Sequence, residues 1–342
     1  MSRFKLALFS CLFGAHAVIA QTPVPPIIDV HAHFESGPRG TNFRAALEGA
    51  IRRMDQNGFS QALLMPQPFP AGQAASYDID AFASIIRESG GRFHPVGGGG
   101  SLNGMIHATS PGAVSEQLKK AFRARAEEIA AAGAVAFGEI ALHHMSMRMR
   151  GPQHPYEIVA PDHPLLLLLA DIAAEKNMPV DLHLDLVPQD MPLPERPVFN
   201  PGRNPSTLPA NIEAFERLLA HNRNARFVWA HAGTDSLGTR TPPLQAGLLS
   251  RNPNLYMSLR LGTSGPPPFV ALGQDGRLKP FWLQLLSTYP DRFVIGTDVF
   301  HNPGNANLEE SLENYRMMLG QLPADLAEAI ANGNARRLYR LR

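Results

Sequence analysis

Eight short apolar or β-branched segments recur along the 342 residues of this chain, and this repetition constrains the fold more than any other feature. They are residues 27–33, 61–67, 92–98, 134–140, 178–185, 225–233, 254–260 and 291–300. Between them lie segments whose apolar residues recur every three or four positions, as on one face of a helix. The clearest of these predicted helices are residues 41–57, 78–90, 113–133 and 208–222. Strands that alternate with helices indicate a parallel sheet, and continuously apolar strands indicate burial on both faces.

Eight such units fit an α/β fold of the closed (β/α)8 TIM-barrel type, which spans this range of chain length. The alternative is an open doubly wound sheet, but no glycine-rich phosphate loop follows the first predicted strand. Two predicted connections are long, residues 186–207 after the fifth strand and residues 261–278 after the seventh. In a barrel both would lie at the C-terminal face, where active sites form, although plain insertions remain an alternative interpretation.

Residues 1–20 have the pattern of a signal peptide, with basic residues before an apolar stretch and VIA at its end. We expect cleavage after Ala20, export to the periplasm or secretion, and a mature chain of one barrel domain over residues 21–342. The apolar stretch is short for a membrane span of about 20 residues. An uncleaved anchor and a lipid-modified Cys11 are the remaining alternatives.

Composition narrows the classes of function. Cys11 is the only cysteine, so the cleaved chain would have neither a disulfide framework nor a thiol nucleophile, and any metal must be held by His, Asp or Glu. Lys plus Arg number 31 and Asp plus Glu number 30, so no charge excess indicates a nucleic-acid or membrane partner. We therefore expect a small-molecule substrate, with self-association into a homo-oligomer left open.

Histidines and carboxylates cluster near the C-terminal ends of the predicted strands. The six residues are His31, His33, Glu139, His183, His231 and Asp298. Taken singly each is a weak signal, because a strand histidine is often a hydrogen-bonded core residue and Asp298 could cap a helix. Their common position predicts that all six converge on one pocket, since a barrel gathers these strand ends around one centre. Asp185 and Trp229 flank two of the histidines and could support them.

This arrangement resembles the metal-site signature of the amidohydrolase superfamily: an HxH pair, a carboxylate on the fourth strand, histidines on the fifth and sixth, and an aspartate on the eighth. The resemblance extends from DVHAH through GEI, VDLHLD, FVWAHAG and IGTDVF to the closing GNARRLYRL, which looks like the C-terminal helix of the amidohydrolase-related branch. It implies a metal-dependent enzyme with a TIM barrel.

The resemblance also implies a role for each residue. His31, His33 and Asp298 would bind the more buried metal ion, His183 and His231 a second ion, and Glu139 would bridge them. Many relatives use a carboxylated lysine as the bridge, but no lysine of this chain stands at a predicted strand end.

The expected chemistry follows from these ligand types. Neutral imidazoles and carboxylates suit Zn²⁺ or a similar ion, and with the two sites that the resemblance implies we expect two Zn²⁺ ions per chain. Bound metal lowers the pKa of water from 15.7 to about 7, which would provide hydroxide for attack on an amide, lactone, ester or phosphoester. Asp298 and His231 are the catalytic candidates, with Asp298 passing the proton to the leaving group.

Two further residues are candidates for substrate binding. Arg260 ends the seventh predicted strand and could bind a substrate carboxylate through two hydrogen bonds, although a surface arginine is an equal alternative. His143 belongs to the segment 141–150, ALHHMSMRMR, which follows Glu139 and would line an adaptable pocket if it is more than an ordinary connection.

Other functions remain open at this stage. The first is a lyase, because relatives in the same branch include decarboxylases of aromatic or unsaturated acids that usually hold one metal ion. Glu139 discriminates between the two reactions, since a bridging carboxylate favours two ions and hydrolysis. A nuclease is less favoured because no basic stripe is present, and a barrel that merely binds a ligand is disfavoured by the complete ligand set.

Overall fold

The computed structural model describes residues 24–35, 41–68, 76–261, 270–302 and 309–342, with the side chains of residues 309–311 excepted. The predicted signal peptide, residues 1–20, lies outside this set, as do residues 262–269 of the second long connection. Among the described residues, no helix combines the length and the apolar character needed to cross a membrane.

The described elements alternate as the sequence pattern predicts. The strands are β1 Ile27–Phe34, β2 Phe59–Met65, β3 Phe93–Pro95, β4 Gly97–Gly98, β5 Phe137–His144, β6 Glu157–Ile158, β7 Val180–Leu184, β8 Met191–Pro192, β9 Thr207–Leu208, β10 Phe227–Ala232, β11 Leu255–Leu259, β12 Phe293–Ile295 and β13 Val299–His301. The α-helices are α1 Phe43–Asn57, α2 Ala83–Arg87, α3 Leu102–His107, α4 Glu116–Ala131, α5 Pro164–Lys176, α6 Ile212–His221, α7 Pro242–Arg251, α8 Pro280–Thr288, α9 Glu309–Leu319, α10 Ala324–Glu328 and α11 Asn334–Tyr339. Short 3-10 turns at Ile79–Ala81, Pro111–Ala113 and Arg148–Arg150 and a π-helical turn at Ala329–Gly333 complete the set.

The central sheet is mostly parallel, with the strand order β3-β2-β1-β12-β11-β10-β7-β5-β4. Its two end strands, β3 and β4, are separated in the chain by Val96 alone. The backbone N–H of Val96 donates to the carbonyl of Leu64 at 2.9 Å, and that of Val135 donates to the carbonyl of Pro95 at 2.9 Å. The order of strands therefore returns to the segment at which it starts, as in a (β/α)8 barrel, and the predicted fold class is confirmed.

The strands are apolar because both of their faces are covered. All eight residues of β1 and all six of β10 are buried. Ile28, Val30 and Val228 belong to the cluster inside the barrel, which Leu338 and Tyr339 of α11 help to close at the N-terminal end. The opposite faces of the strands pack against the surrounding helices in a larger core.

A register irregularity in β1 decides where its histidines point. The pairing of β1 with β2 shifts between Asp29 and Ala32, so the alternation of faces changes along the strand. Ile28 faces the barrel interior, whereas Ala32, an even-numbered residue further along, packs in the outer core. Such irregularities redirect side chains near functional sites. Here the shift turns His31 and His33 inward.

Several segments differ in extent from the predictions. The fourth barrel strand, expected over residues 134–140, is β5 and continues to His144, because it also pairs with the antiparallel β6. The predicted helix 78–90 is a 3-10 turn followed by the short α2. The long connection after the fifth barrel strand contains the small antiparallel sheet of β8 and β9.

Candidate functional site

The six residues predicted to converge do lie together inside the C-terminal end of the barrel, and Glu139 stands at their centre. Its Oε2 lies 3.6 Å from Nε2 of His31 and 3.4 Å from Nε2 of His33. Its Oε1 lies 2.9 Å from Nδ1 of His183 and 3.4 Å from Nε2 of His231. Each carboxylate oxygen therefore faces a different pair of histidines.

Asp298 completes the cluster on the side of His33. Its Oδ1 lies 3.3 Å from Nε2 of His33 and 3.8 Å from Nε2 of His31. Its Oδ2 faces the opposite way, 3.2 Å from an amino group of Arg260 and 4.0 Å from one of Arg150. Asp298 thus connects the histidine cluster to two arginines.

Two overlapping groups of side chains offer ligand atoms that all lie within 4.8 Å of one another. One consists of His31, His33 and Asp298, and the other of His31, Glu139 and His231. His183 is in neither group, although its Nδ1 lies 3.0 Å from Nε2 of His231. The donors are imidazole nitrogens and carboxylate oxygens, which suit Zn²⁺ and similar divalent ions.

The backbone is strained at two of the six residues. His231 has φ 66° and Asp298 has φ 56°, which places both in the left-handed region that non-glycine residues seldom adopt. The pairing of β10 with β11 is also irregular between Trp229 and Ala232, beside His231. Strain of this kind is concentrated at functional sites, where the surrounding structure holds it in place.

Buried charges surround the histidine rings. Burial lowers the pKa of His231 to about 3, which keeps that ring neutral. For His183, burial acts against the charged form, but Asp185 and Glu139 outweigh it and raise the pKa to about 9. Burial likewise opposes the charge of His31, and Asp181 and Glu139 reverse that effect, so its pKa is raised. The carboxylates of this pocket therefore stabilise positive charge on the neighbouring histidines. A divalent cation would supply the same positive charge, so the residues fit such an ion.

Two supporting acids were not foreseen from the sequence. Asp29 accepts hydrogen bonds from the backbone of His31 and from both the backbone and the hydroxyl of Thr297, which ties β1 to the residue before Asp298. Asp181 lies 3.1 Å from Nδ1 of His31. Both stand two positions before a cluster histidine in the sequence, and this repeated spacing is the signal that could have identified them.

Of the two residues expected to support the histidines, Asp185 lies beside His183, whereas Trp229 packs in the outer core. Asp185 forms an ion pair with Arg240 at 2.8 Å and accepts a hydrogen bond from the backbone of Met145. Its Oδ2 lies 3.8 Å from Nε2 of His183. The indole of Trp229 donates to the carbonyl of Leu184 at 3.0 Å.

A cavity of about 500 Å³ opens above the cluster. It is lined by Glu35, Gln67, Pro68, Glu139, His144, Met149, Arg150, Gln153, His154, Pro155, Glu157, His183, His231, Asp298 and Phe300. A smaller cavity of about 70 Å³ adjoins it and is lined in part by Arg240 and Arg260. The guanidinium of Arg150 lies 3.8 Å above the ring of Phe300. Arg260, which the sequence places beside the pocket, lines the smaller cavity.

His143, the second residue predicted to bind substrate, does not line either cavity. It is buried, its Nδ1 lies 2.7 Å from the carbonyl oxygen of Asp185, and its Nε2 lies 3.0 Å from the hydroxyl of Tyr156. The neighbouring His144 lines both cavities instead, with its ring centre 4.3 Å from that of His183. Because β5 extends through these two residues, consecutive side chains point to opposite sides.

The outer wall of the cavity is held by hydrogen bonds between two loops. The side-chain amide of the buried Asn200 donates to the hydroxyl of Ser146 and to the carbonyls of Met147 and Gly151. A small apolar cluster that includes Met145 and Phe199 joins the same loops. These contacts position the segment that carries Met149 and Arg150.

A family model described as amidohydrolase matches residues 28–341. No curated protein matches the chain. Among solved structures, a probable 2-pyrone-4,6-dicarboxylic acid hydrolase from Acinetobacter baumannii with citric acid bound is similar at 14% identity and a TM-score of 0.51, covering 92% of this chain and 99% of that chain. A 2,6-dihydroxybenzoate decarboxylase complexed with 2,6-dihydroxybenzoate is similar at 14% identity and a TM-score of 0.50, covering 93% and 99%. At this identity both comparisons concern the fold alone.

Proposed function

Because the chain belongs to the amidohydrolase family, we propose that it is an exported, metal-dependent hydrolase that cleaves an amide, lactone, ester or phosphoester bond of a small molecule. The observation that carries this proposal is the division of Glu139 between two pairs of histidines. One oxygen faces His31 and His33, and the other faces His183 and His231. A carboxylate in this position can contribute one ligand atom to each of two neighbouring ions.

The proposal assigns the six residues to two cations. His31, His33 and Asp298 would hold one ion and His183 with His231 a second, while Glu139 contributes to both. Three or more imidazole and carboxylate ligands without thiolate are typical of catalytic Zn²⁺ sites. When bound, such ions lower the pKa of water to about 7 and polarise a carbonyl or phosphoryl oxygen.

Asp298 is the residue that moves the proton in this proposal. Asp298 lines the cavity, and its Oδ2, on the side of Arg260, can accept a proton from an attacking water while the new bond to the substrate carbon or phosphorus forms. The same oxygen can then give that proton to the leaving group as the scissile bond breaks. His231 lines the same cavity and is kept neutral by burial, which suits a ligand that orients the reacting groups.

The arginines beside Asp298 support a substrate that carries a carboxylate. Among the described residues, Asp298 is the carboxylate that lies within 4.0 Å of Arg150 and of Arg260. When Asp298 is engaged with a cation, both guanidinium groups can donate charge-assisted hydrogen bonds to a substrate anion.

A decarboxylase is the second candidate, and one observation favours it. His31 belongs to both groups of potential ligands, so the cluster can also be interpreted as the site of one ion. A single ion beside Arg150 and Arg260 would suit an aromatic or unsaturated acid that loses its carboxylate. The similar structures include a decarboxylase as well as a hydrolase, so the likeness in fold does not separate the two reactions.

The products distinguish these reactions. The metal-loaded protein should be offered lactones, aryl esters, amino-acid amides and phosphotriesters, with aromatic acids in parallel, in water enriched in ¹⁸O. We expect hydrolysis with one ¹⁸O atom incorporated into the product, and loss of this activity in Glu139→Gln. Release of carbon dioxide from the acids without hydrolysis of any ester, lactone or amide would contradict the proposal.

N-terminal sequencing of the exported protein tests export, with Gln21 expected as the first residue.

A further inference from the structure

Asp181 is a buried carboxylate beside the cluster that has no task in the proposed reaction. It lies in β7, two residues before His183, and is 1% exposed. Its Oδ1 lies 3.1 Å from Nδ1 of His31. The Nε2 on the other side of that ring lies 3.1 Å from Nε2 of His33 and 3.6 Å from Glu139. One nitrogen of His31 therefore faces the cluster, and the other faces Asp181.

No other group satisfies Asp181 among the residues that the structure describes. Neither of its carboxylate oxygens has a hydrogen-bond partner there, and neither does Nδ1 of His31. Asp185, the next acid along the chain, differs because Arg240 neutralises it at 2.8 Å. An unsatisfied buried polar group costs about 1–3 kcal/mol, and more when it is charged. An interaction with the His31 ring would account for a buried carboxylate at position 181.

Close packing also fixes where Asp181 lies. A Cβ atom at position 138 would come within 2.7 Å of the Cβ of Asp181, so the neighbouring strand approaches closely only because residue 138 is glycine. The carboxylate is thus held at hydrogen-bond distance from His31, although the present angle is not that of a hydrogen bond.

We propose that Asp181 is a positioning residue that accepts a hydrogen bond from Nδ1–H of His31 and leaves Nε2 of that ring free to bind a divalent cation. This role rests on the proposed function, in which His31 is a metal ligand. A metal-bound histidine commonly donates its other N–H to a carboxylate or carbonyl, which fixes the tautomer and the orientation of the ring. His33 has such a partner already, since its Nδ1 lies 3.2 Å from the carbonyl oxygen of Met65.

The test compares Asp181→Asn with the wild type and with Asp78→Asn. Asp78 is a matched control because it is also buried but accepts hydrogen bonds from the backbone of Ile79 and Gly98, neither of which belongs to the cluster. Three quantities should be measured: the Zn²⁺ dissociation constant by chelator competition, the Tm of the metal-free protein, and the ¹⁵N shifts of the His31 ring.

We expect Asp181→Asn to weaken binding of one Zn²⁺ ion about 10- to 100-fold, the usual effect of removing such a partner. The Tm of its metal-free form separates a loss of Zn²⁺ affinity from a loss of stability. Asp78→Asn should lower the Tm and leave Zn²⁺ affinity unchanged. In the wild type, the ¹⁵N shifts should show a proton on Nδ1 of His31.

Two results would overturn the inference: Zn²⁺ affinity of Asp181→Asn within twofold of the wild type, or His31 protonated at Nε2 alone. If Asp181→Asn fails to fold, the ¹⁵N shifts of the wild type decide the question. If the wild type binds no divalent cation, the proposed function fails, and the tautomer of His31 in the metal-free protein still tests the contact with Asp181.

Discussion

The floor and the outer wall of the cavity are built by different means. The floor consists of side chains on barrel strands, and His31 and His33 in it are completely buried. Much of the wall is formed by the loop that follows β5, in which Met149 is 74% exposed. Strand hydrogen bonds hold the floor, whereas Asn200 and a small apolar cluster hold the wall. We therefore expect the floor to determine the chemistry and the wall to determine which substrate reaches it.

Removal of a ligand from the floor should have the largest effect. His31 belongs to both potential ligand groups, so His31→Ala should reduce metal content and lower kcat/KM by about 10⁴-fold or more for every substrate, because water activation is lost. Metal analysis and steady-state kinetics measure both quantities. His221→Ala is the matched control, since His221 lies at the surface beside Asp171. Unchanged metal content in His31→Ala would contradict the assignment of the floor.

Loss of the proton carrier should have the next largest effect. Asp298→Asn should lower kcat by about 10³-fold, within the range found for general acid–base residues. The effect should be smaller for substrates whose leaving groups need no proton, such as nitrophenyl esters, than for alkyl esters. Asp55→Asn, at a surface ion pair with Arg92, serves as the control. Equal losses with both kinds of leaving group would argue against proton transfer by Asp298.

Substitution of Arg260, which lies between the floor and the wall, should alter substrate preference. Arg260→Gln should raise the KM for a carboxylate-bearing ester about 10- to 100-fold, because a hydrogen bond to a charged group is worth about 1.5–3 kcal/mol. The KM for the uncharged methyl ester should change little, as should metal content. An equal rise in KM for the charged and the uncharged ester would argue that Arg260 does not bind a substrate carboxylate. Arg217→Gln, on an exposed helix surface, is the control.

The smallest effect is expected from the wall. Asn200→Ala leaves the buried hydroxyl of Ser146 without one of its partners and should destabilise the protein by about 1–3 kcal/mol. KM should change several-fold and differently for different substrates, since the loop that carries Arg150 loses its anchor. Metal content should equal that of the wild type. A loss of metal in this variant would show that floor and wall are not separable.

The same contrast explains what the sequence could predict. All eight barrel strands follow from apolar periodicity, and the six residues of the floor follow from their common position at strand ends. His143 and His144 could not be told apart, because the extension of β5 depends on pairing with β6, a contact with a distant segment. The inward direction of the His31 side chain depends on a register shift between β1 and β2. The hydrogen bonds from Asn200 to the loop after β5 are contacts between segments distant in the sequence. Local sequence encodes neither feature.

The central claim is that Glu139 serves two ions at once, and metal stoichiometry tests it most directly. Purified wild-type protein and Glu139→Gln should be saturated with Zn²⁺, freed of excess ion and analysed for metal per chain. We predict about two ions in the wild type and one or fewer in Glu139→Gln, with hydrolysis lost in parallel. One ion in the wild type, unchanged by the substitution, would contradict the account and favour a mononuclear decarboxylase.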